Sequence, residues 1–159
     1  MKFTEKISNN LNELLTKNYD AEAGYKLAEE NVKNNTLKEY FGRKAKERYD
    51  FGHQIKNEIK VYGESPDKGT SVAGDAHRLW MNVKSTLSKN SEEAVLEETI
   101  RGEKNAIEEY QSILSNPNLP PTTEAILNTQ LDLIKGTLEE VKAFEVMAYI
   151  HLFELATRK

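Results

Sequence analysis

Cysteine is absent from the 159 residues. That removes disulfides, thiolate nucleophiles, zinc fingers and iron–sulfur clusters together. Proline and glycine are scarce, at 4 and 8 residues, and the glycines are scattered at helix ends and turns rather than gathered in a phosphate-binding loop. No long hydrophobic run exists either. The longest uncharged apolar stretch, VMAYIHLF from Val146 to Phe153, has eight residues, against the roughly 20 that a bilayer span needs. The start, MKFTEKISNN, lacks the apolar core of a secretory signal, so the expectation is a cytoplasmic protein with no membrane partner. Strand signals are missing throughout, and no fixed-period repeat is visible.

What remains is rich in Glu, Lys, Leu and Ala. With 30% charged and 38% hydrophobic residues, the composition favours helix over sheet, and the length suits one domain, residues 1–159. The formal charge of -4 argues against a dedicated nucleic-acid binder. The basic run RKAKER, Arg43 to Arg48, is read as a solvated helix face.

Four long helical patterns emerge. The first spans about Thr4 to Asn34, with Ile7, Leu11, Leu14, Asn18, Tyr25 and Ala28 on one face and Thr4 as its N-cap. A short break at Asn34–Thr36 sends the second, about Leu37 to Tyr62, back antiparallel, and Gly63 ends it. The third starts near Ser91 and runs to Leu114. SNPNLPP, Ser115 to Pro121, interrupts the chain, and Thr122 or Thr123 caps the fourth. Between the second and third lies a crossover from Gly63 to Asn90, with a short amphipathic helix predicted over Val72–Leu87. Up-down-up-down bundles need no such segment. A long middle connection is the ferritin-like arrangement, so the expected fold is an all-α, ferritin-like four-helix bundle whose crossover carries a short fifth helix.

Ferritin-like bundles hold two metals on inward carboxylates, often with a histidine three residues on. Glu103 lies on the stripe of Leu96, Tyr110 and Leu114, and so predicts a buried carboxylate. Glu22 and Glu47 stand near the core stripe, 13 residues before and 12 after Asn35, level to within about 1.5 Å. Asp50 follows Glu47 at the histidine spacing. At the matching height the fourth helix offers only Leu131, Ile134 and Leu138. Glu145 reaches the inner stripe 11 residues beyond Ile134, roughly 16 Å away, and no ExxH pair occurs. Two readings therefore stand. Glu103 belongs to a buried ion pair, with Lys44 or Arg101 at hand, or Glu22, Glu47, Asp50 and Glu103 bind iron or manganese.

The segments DAEAGY (Asp20–Tyr25), SVAGDAHRLW (Ser71–Trp80) and RGEKNAIEEY (Arg101–Tyr110) resemble a bacterial ferritin-like family of unknown function. RGEKNAIEEY is more distantly similar to the third-helix pattern of rubrerythrins. The resemblance covers nearly the whole chain; it implies a ferritin-type fold, permits a metal centre, and suggests a stress-related role without an established reaction. By that likeness Glu103 takes the third-helix glutamate position and Glu47 the second-helix one. Asp50 stands where those relatives place histidine, Asn18 where bacterioferritins place a first-helix glutamate, and Leu138 where a fourth-helix ligand is expected. His77, Arg78 and Trp80 fall on the crossover motif and are read as docking residues.

The expectation is a non-enzymatic bundle without a cofactor. The alternative is a carboxylate-bridged di-metal protein, an oxidoreductase or metal store. A third reading comes from the C-terminal FEVMAYIHLFELA, which is apolar around more than one face. Such a helix needs two partners, and the second is the crossover or another subunit, making the chain an interaction module or homo-oligomer.

Overall fold

The computed structural model describes residues 2–67 and 92–158. They form four helices: α1 (Phe3–Asn31), α2 (Asn35–Val61), α3 (Glu92–Leu114) and α4 (Pro121–Thr157). The short helix expected over Val72–Leu87, the Ser91 cap, and His77, Arg78 and Trp80 lie outside the described residues.

Each break has a chemical cause. After α1 the chain turns extended at Val32, and Asn34 caps α2 by accepting the Leu37 amide at 3.1 Å. That satisfies one of the donors a helix start leaves open. Gly63 ends α2 at φ +76°, a conformation that an L side chain resists. The following turn returns the Gly63 and Glu64 amides to the carbonyls of Lys60 and Ile59. Asn12 of α1 then holds the departing strand of chain, accepting the Asp67 amide at 2.8 Å and donating to the Ser65 carbonyl at 3.4 Å.

Two helix starts differ from the sequence expectation. α4 begins at Pro121, whose missing N–H costs nothing in a first turn; Thr123 instead points inward and is fully buried. α1 begins at Phe3 rather than after Thr4, with the Glu5 carboxylate accepting the Lys2 amide at 3.3 Å.

The bundle consists of two hairpins, α1 with α2 and α3 with α4, laid against each other so that α1 meets α3 and α2 meets α4. Cross-links fix the directions. Lys17 pairs with Glu109 at 3.2 Å, and at the other end Glu92 accepts the amides of Lys33 and Asn34 at 3.3 and 2.9 Å. α1 and α3 are therefore antiparallel, and α2 and α3 run parallel across the diagonal. A parallel pair requires a connection that travels back along the bundle, which is the connectivity of the ferritin-like fold.

The core is in two halves. One gathers Leu11, Leu14, Phe51, Ile55, Tyr110, Leu127 and Ile134; the other gathers Tyr25, Tyr40, Phe41, Leu96 and Val141. In the second half Phe41 is fully buried between Tyr25 and Tyr40, ring centroids 5.9 and 6.0 Å away. Phe41→Ala leaves a cavity there and is expected to cost about 3–5 kcal/mol, read as a lower urea midpoint by circular dichroism with an unchanged slope. Asn34→Ala, which removes only a cap, is expected to cost about 1 kcal/mol in the same measurement.

Candidate functional site

Between the two apolar halves lies a polar layer. It falls where the core stripe of each helix changes character: Asn18 between Leu15 and Tyr25, Arg48 between Ala45 and Phe51, Glu103 between Leu96 and Ala106, Thr137 between Ile134 and Val141. All four are buried. Arg48 on α2 reaches across the diagonal to α3, its Nη2 donating to Glu103 Oε1 at 2.9 Å, with side chains only 4% and 5% exposed. Its Nη1 donates to Asn18 Oδ1 at 2.9 Å.

From Asn18 the network continues into the other half of the core. The Asn18 amide donates to the Leu14 carbonyl at 2.8 Å and to the Tyr110 hydroxyl at 2.9 Å. The Tyr110 hydroxyl donates to Gln130 Oε1 at 2.7 Å. Gln130 Nε2 donates to Gln54 Oε1 at 2.8 Å and to the Phe51 carbonyl at 3.3 Å. One connected chain of hydrogen bonds thus touches all four helices. Nearer the α2 C-terminus, a smaller group joins Tyr62, Thr123 and Glu58, with the Thr123 hydroxyl donating to Glu58 Oε1 at 2.9 Å.

The electrostatics follow from burial and the single ion pair. Burial alone would loosen the proton of Arg48, but the Glu103 carboxylate, together with Tyr110 and Tyr25, more than offsets it and holds the guanidinium above its usual value. Burial pushes the Tyr110 hydroxyl up to about 12, opposed by Arg48 and by the Asn18 hydrogen bond. Burial raises Tyr25 well above the ordinary phenol range, with the Glu103 charge adding to it, and Arg48 opposes this. Tyr40 rises too, through burial and then the charges of Glu140 and Glu103. Among the described residues no well-formed hydrogen bond reaches the buried hydroxyls of Tyr25 and Tyr40, which lie near Glu103 and Thr137 respectively.

The structure separates the four carboxylates that the sequence grouped. Glu22 pairs with Lys26 at 3.5 Å, Glu47 with Lys44 at 3.4 Å and Asp50 with Lys46 at 3.4 Å, each on its own helix. Asp50 is 54% exposed on the outer side. Only Glu103 enters the core. Among the described residues, no group of three or more histidine, cysteine or carboxylate side chains is placed to hold a metal ion. A ferritin-type pair of metals needs several converging carboxylates with histidines. The donor set here, one carboxylate already bound to a guanidinium, does not fit it.

Arg48 is the residue that sequence reasoning missed. It closes the basic run RKAKER, and that run was read as a solvated face. Lys46 is exposed, whereas Arg48 is 3% exposed. The signal was available: Arg48 stands three residues before Phe51 and seven before Ile55, on the core stripe. Glu103's partner is accordingly Arg48 rather than Lys44 or Arg101, and Arg101 pairs with Glu98 instead.

Breaking the central pair leaves a buried charge alone. Arg48→Met or Glu103→Leu is expected to cost about 3–5 kcal/mol, and the double substitution much less than the sum; a double-mutant cycle by urea unfolding checks both. Stability should also fall in alkali. Tyrosines whose folded pKa is raised keep their full contribution below the unfolded value near 10 and lose it as pH climbs toward the folded value, about 12 for Tyr110. Each such tyrosine removes about 1.4 kcal/mol per pH unit across that window, so unfolding midpoints should be level from neutral pH to about 9.5 and then drop steeply.

The model of a domain-of-unknown-function family, DUF2383, matches residues 6–116. No curated protein matches the chain. Among solved structures, a mutant form of Dps1 from Mycobacterium smegmatis is similar, with a TM-score of 0.72 and 14% sequence identity over 91% of this chain and 99% of that one. At that identity the likeness speaks to the fold alone. The chain belongs to the DUF2383 family, and the fold of that family's representative here is a ferritin-like four-helix bundle.

Proposed function

We propose that this protein is a non-enzymatic ferritin-like bundle whose interior serves as scaffold and whose surface does its work. The observation that carries the reading is the guanidinium of Arg48 in the middle of the bundle, hydrogen-bonded to the one carboxylate of the polar layer, Glu103. A divalent cation about 4 Å from a fixed positive charge meets roughly 8 kcal/mol of repulsion at an effective dielectric constant of about 20. The carboxylate that would offset it is already neutralised. Asn18, Thr137 and Gln130 supply only neutral oxygens and already have hydrogen-bond partners.

The other functional classes have less support. Net charge is -4, which disfavours a nucleic-acid partner. Among the described residues no helix is long and apolar enough to cross a membrane. A cytoplasmic location rests on the N-terminal sequence and the lack of a long apolar run, and a stress-related role on the family resemblance alone.

The competing reading is an iron or manganese centre on Glu22, Glu47, Asp50 and Glu103. It rests on the ferritin-like fold, which in other bundles brings inward carboxylates to a common level. Elemental analysis separates the readings. Protein purified without chelator and dialysed against ferrous or manganous ions is expected to hold neither metal in stoichiometric amount. One or two metals per chain, lost in Glu103→Gln, would establish the competing reading instead.

A further inference from the structure

The outer face of α4 carries a stripe that the bundle does not use. Leu133, Gly136, Glu140, Ala143, Met147 and Ile150 recur at alternating steps of three and four, and all six are exposed. Alternating steps of three and four make a 3.5-residue period, the seam along which one helix packs against another. The large members are conspicuously open to solvent: Leu133 is 45%, Met147 66% and Ile150 48% exposed. Gly136 adds an independent observation. A Cβ built there meets nothing within 4 Å, as at the mid-helix Gly24 and Gly102, so contacts within the protomer do not require a glycine that costs about 1 kcal/mol relative to alanine; of the three, Gly136 is the one that falls on the stripe.

We propose that this stripe is an interface with a second copy of the same chain, two α4 helices packing antiparallel about a two-fold axis. In a two-fold contact the same patch serves both sides, so residue i meets j while j meets i. One register satisfies the stripe. Gly136 faces Met147 of the second copy, Leu133 faces its Ile150, and Glu140 faces its Ala143. The long Met147 side chain enters the gap at Gly136, twice, by symmetry. That gives the glycine its use.

Charge and area set the strength of the contact. Asp132 lies opposite His151 of the second copy, and Glu140 lies beside its Lys142. The two Glu140 carboxylates come within about 4.5 Å of each other along the axis at the centre of the stripe, so association should tighten as they are protonated or screened. Val146, 56% exposed, flanks the stripe. With Leu133, Met147 and Ile150 it makes four large apolar side chains about half exposed in each copy, an area below the roughly 1,000 Å² of a stable specific interface and in the range of a weak one.

Because the chain has no cysteine, paired cysteines can test the register directly. The Gly136→Cys/Met147→Cys variant of the full chain is expected to form a covalent dimer under mild oxidation on a non-reducing gel. Each single variant is expected not to, since residue 136 and its own counterpart, like residue 147 and its counterpart, are about 16 Å apart along the pair, beyond disulfide reach. In sedimentation equilibrium the natural chain is expected to be dimeric or larger. Met147→Glu/Ile150→Glu is expected to lose that association while keeping full helicity by circular dichroism. Gly136→Leu, which fills the gap, should weaken association at least tenfold without lowering the thermal midpoint of the dilute protein. A natural chain that sediments as a monomer at all concentrations overturns the proposal. So does an oligomer in which the double-cysteine variant fails to cross-link.

Discussion

The bond between Arg48 and Glu103 is the constraint around which the bundle is arranged. It crosses the diagonal between α2 and α3, two helices whose backbones stay apart, so it has to be accommodated by everything around it. Two charges removed from water repay their desolvation only with near-ideal geometry and further hydrogen bonds. The additional bonds come from Asn18, and through it from Tyr110, Gln130 and Gln54. Of these, Asn18, Tyr110 and Gln130 are buried, in places that an apolar side chain could fill more cheaply. Together they fix how the two hairpins sit: sliding one past the other by a turn, about 5.4 Å, would strand the guanidinium and the carboxylate in separate apolar halves.

The polar layer gives this ferritin-like interior a composition of its own. The fold brings four helices to a common level where inward side chains converge. What arrives at that level decides the chemistry. Here it is an amide, a guanidinium, a carboxylate and a hydroxyl, on Asn18, Arg48, Glu103 and Thr137. A cation is already present, built into the chain, and it cannot dissociate.

Much of this was legible in the sequence. The four helices, their breaks and the long middle connection follow from periodicity, from Gly63 and from the prolines of residues 115–121. The burial of Glu103 follows from its stripe, and so does the apolar level of the fourth helix near Ile134. Three features were not. Arg48 hid inside a charged run, because charge density along a sequence says nothing about which side chain faces inward. Glu22, Glu47 and Asp50 looked level with Glu103, but helix rotation, unlike height, is not fixed by counting residues. A shift of one position turns a side chain by about 100°, enough to move Asp50 to the outer side. Thr137 gave no signal, since a threonine on an apolar stripe reads as a small hydrophobe until its hydroxyl is seen bonded to the Leu133 carbonyl at 3.0 Å.

The grip of Glu92 on the connection between α1 and α2 has a consequence for how the chain acquires its shape. α1 with α2, and α3 with α4, bury their contacts between neighbours in sequence, which form fast because little loop entropy is lost. The carboxylate of Glu92 on the amides of Lys33 and Asn34 belongs to neither hairpin. It forms only as the two halves meet, at the end of the bundle away from Tyr110 and Gln130. A partly assembled chain can therefore latch at one end before its central charges are enclosed, and water can leave the middle last.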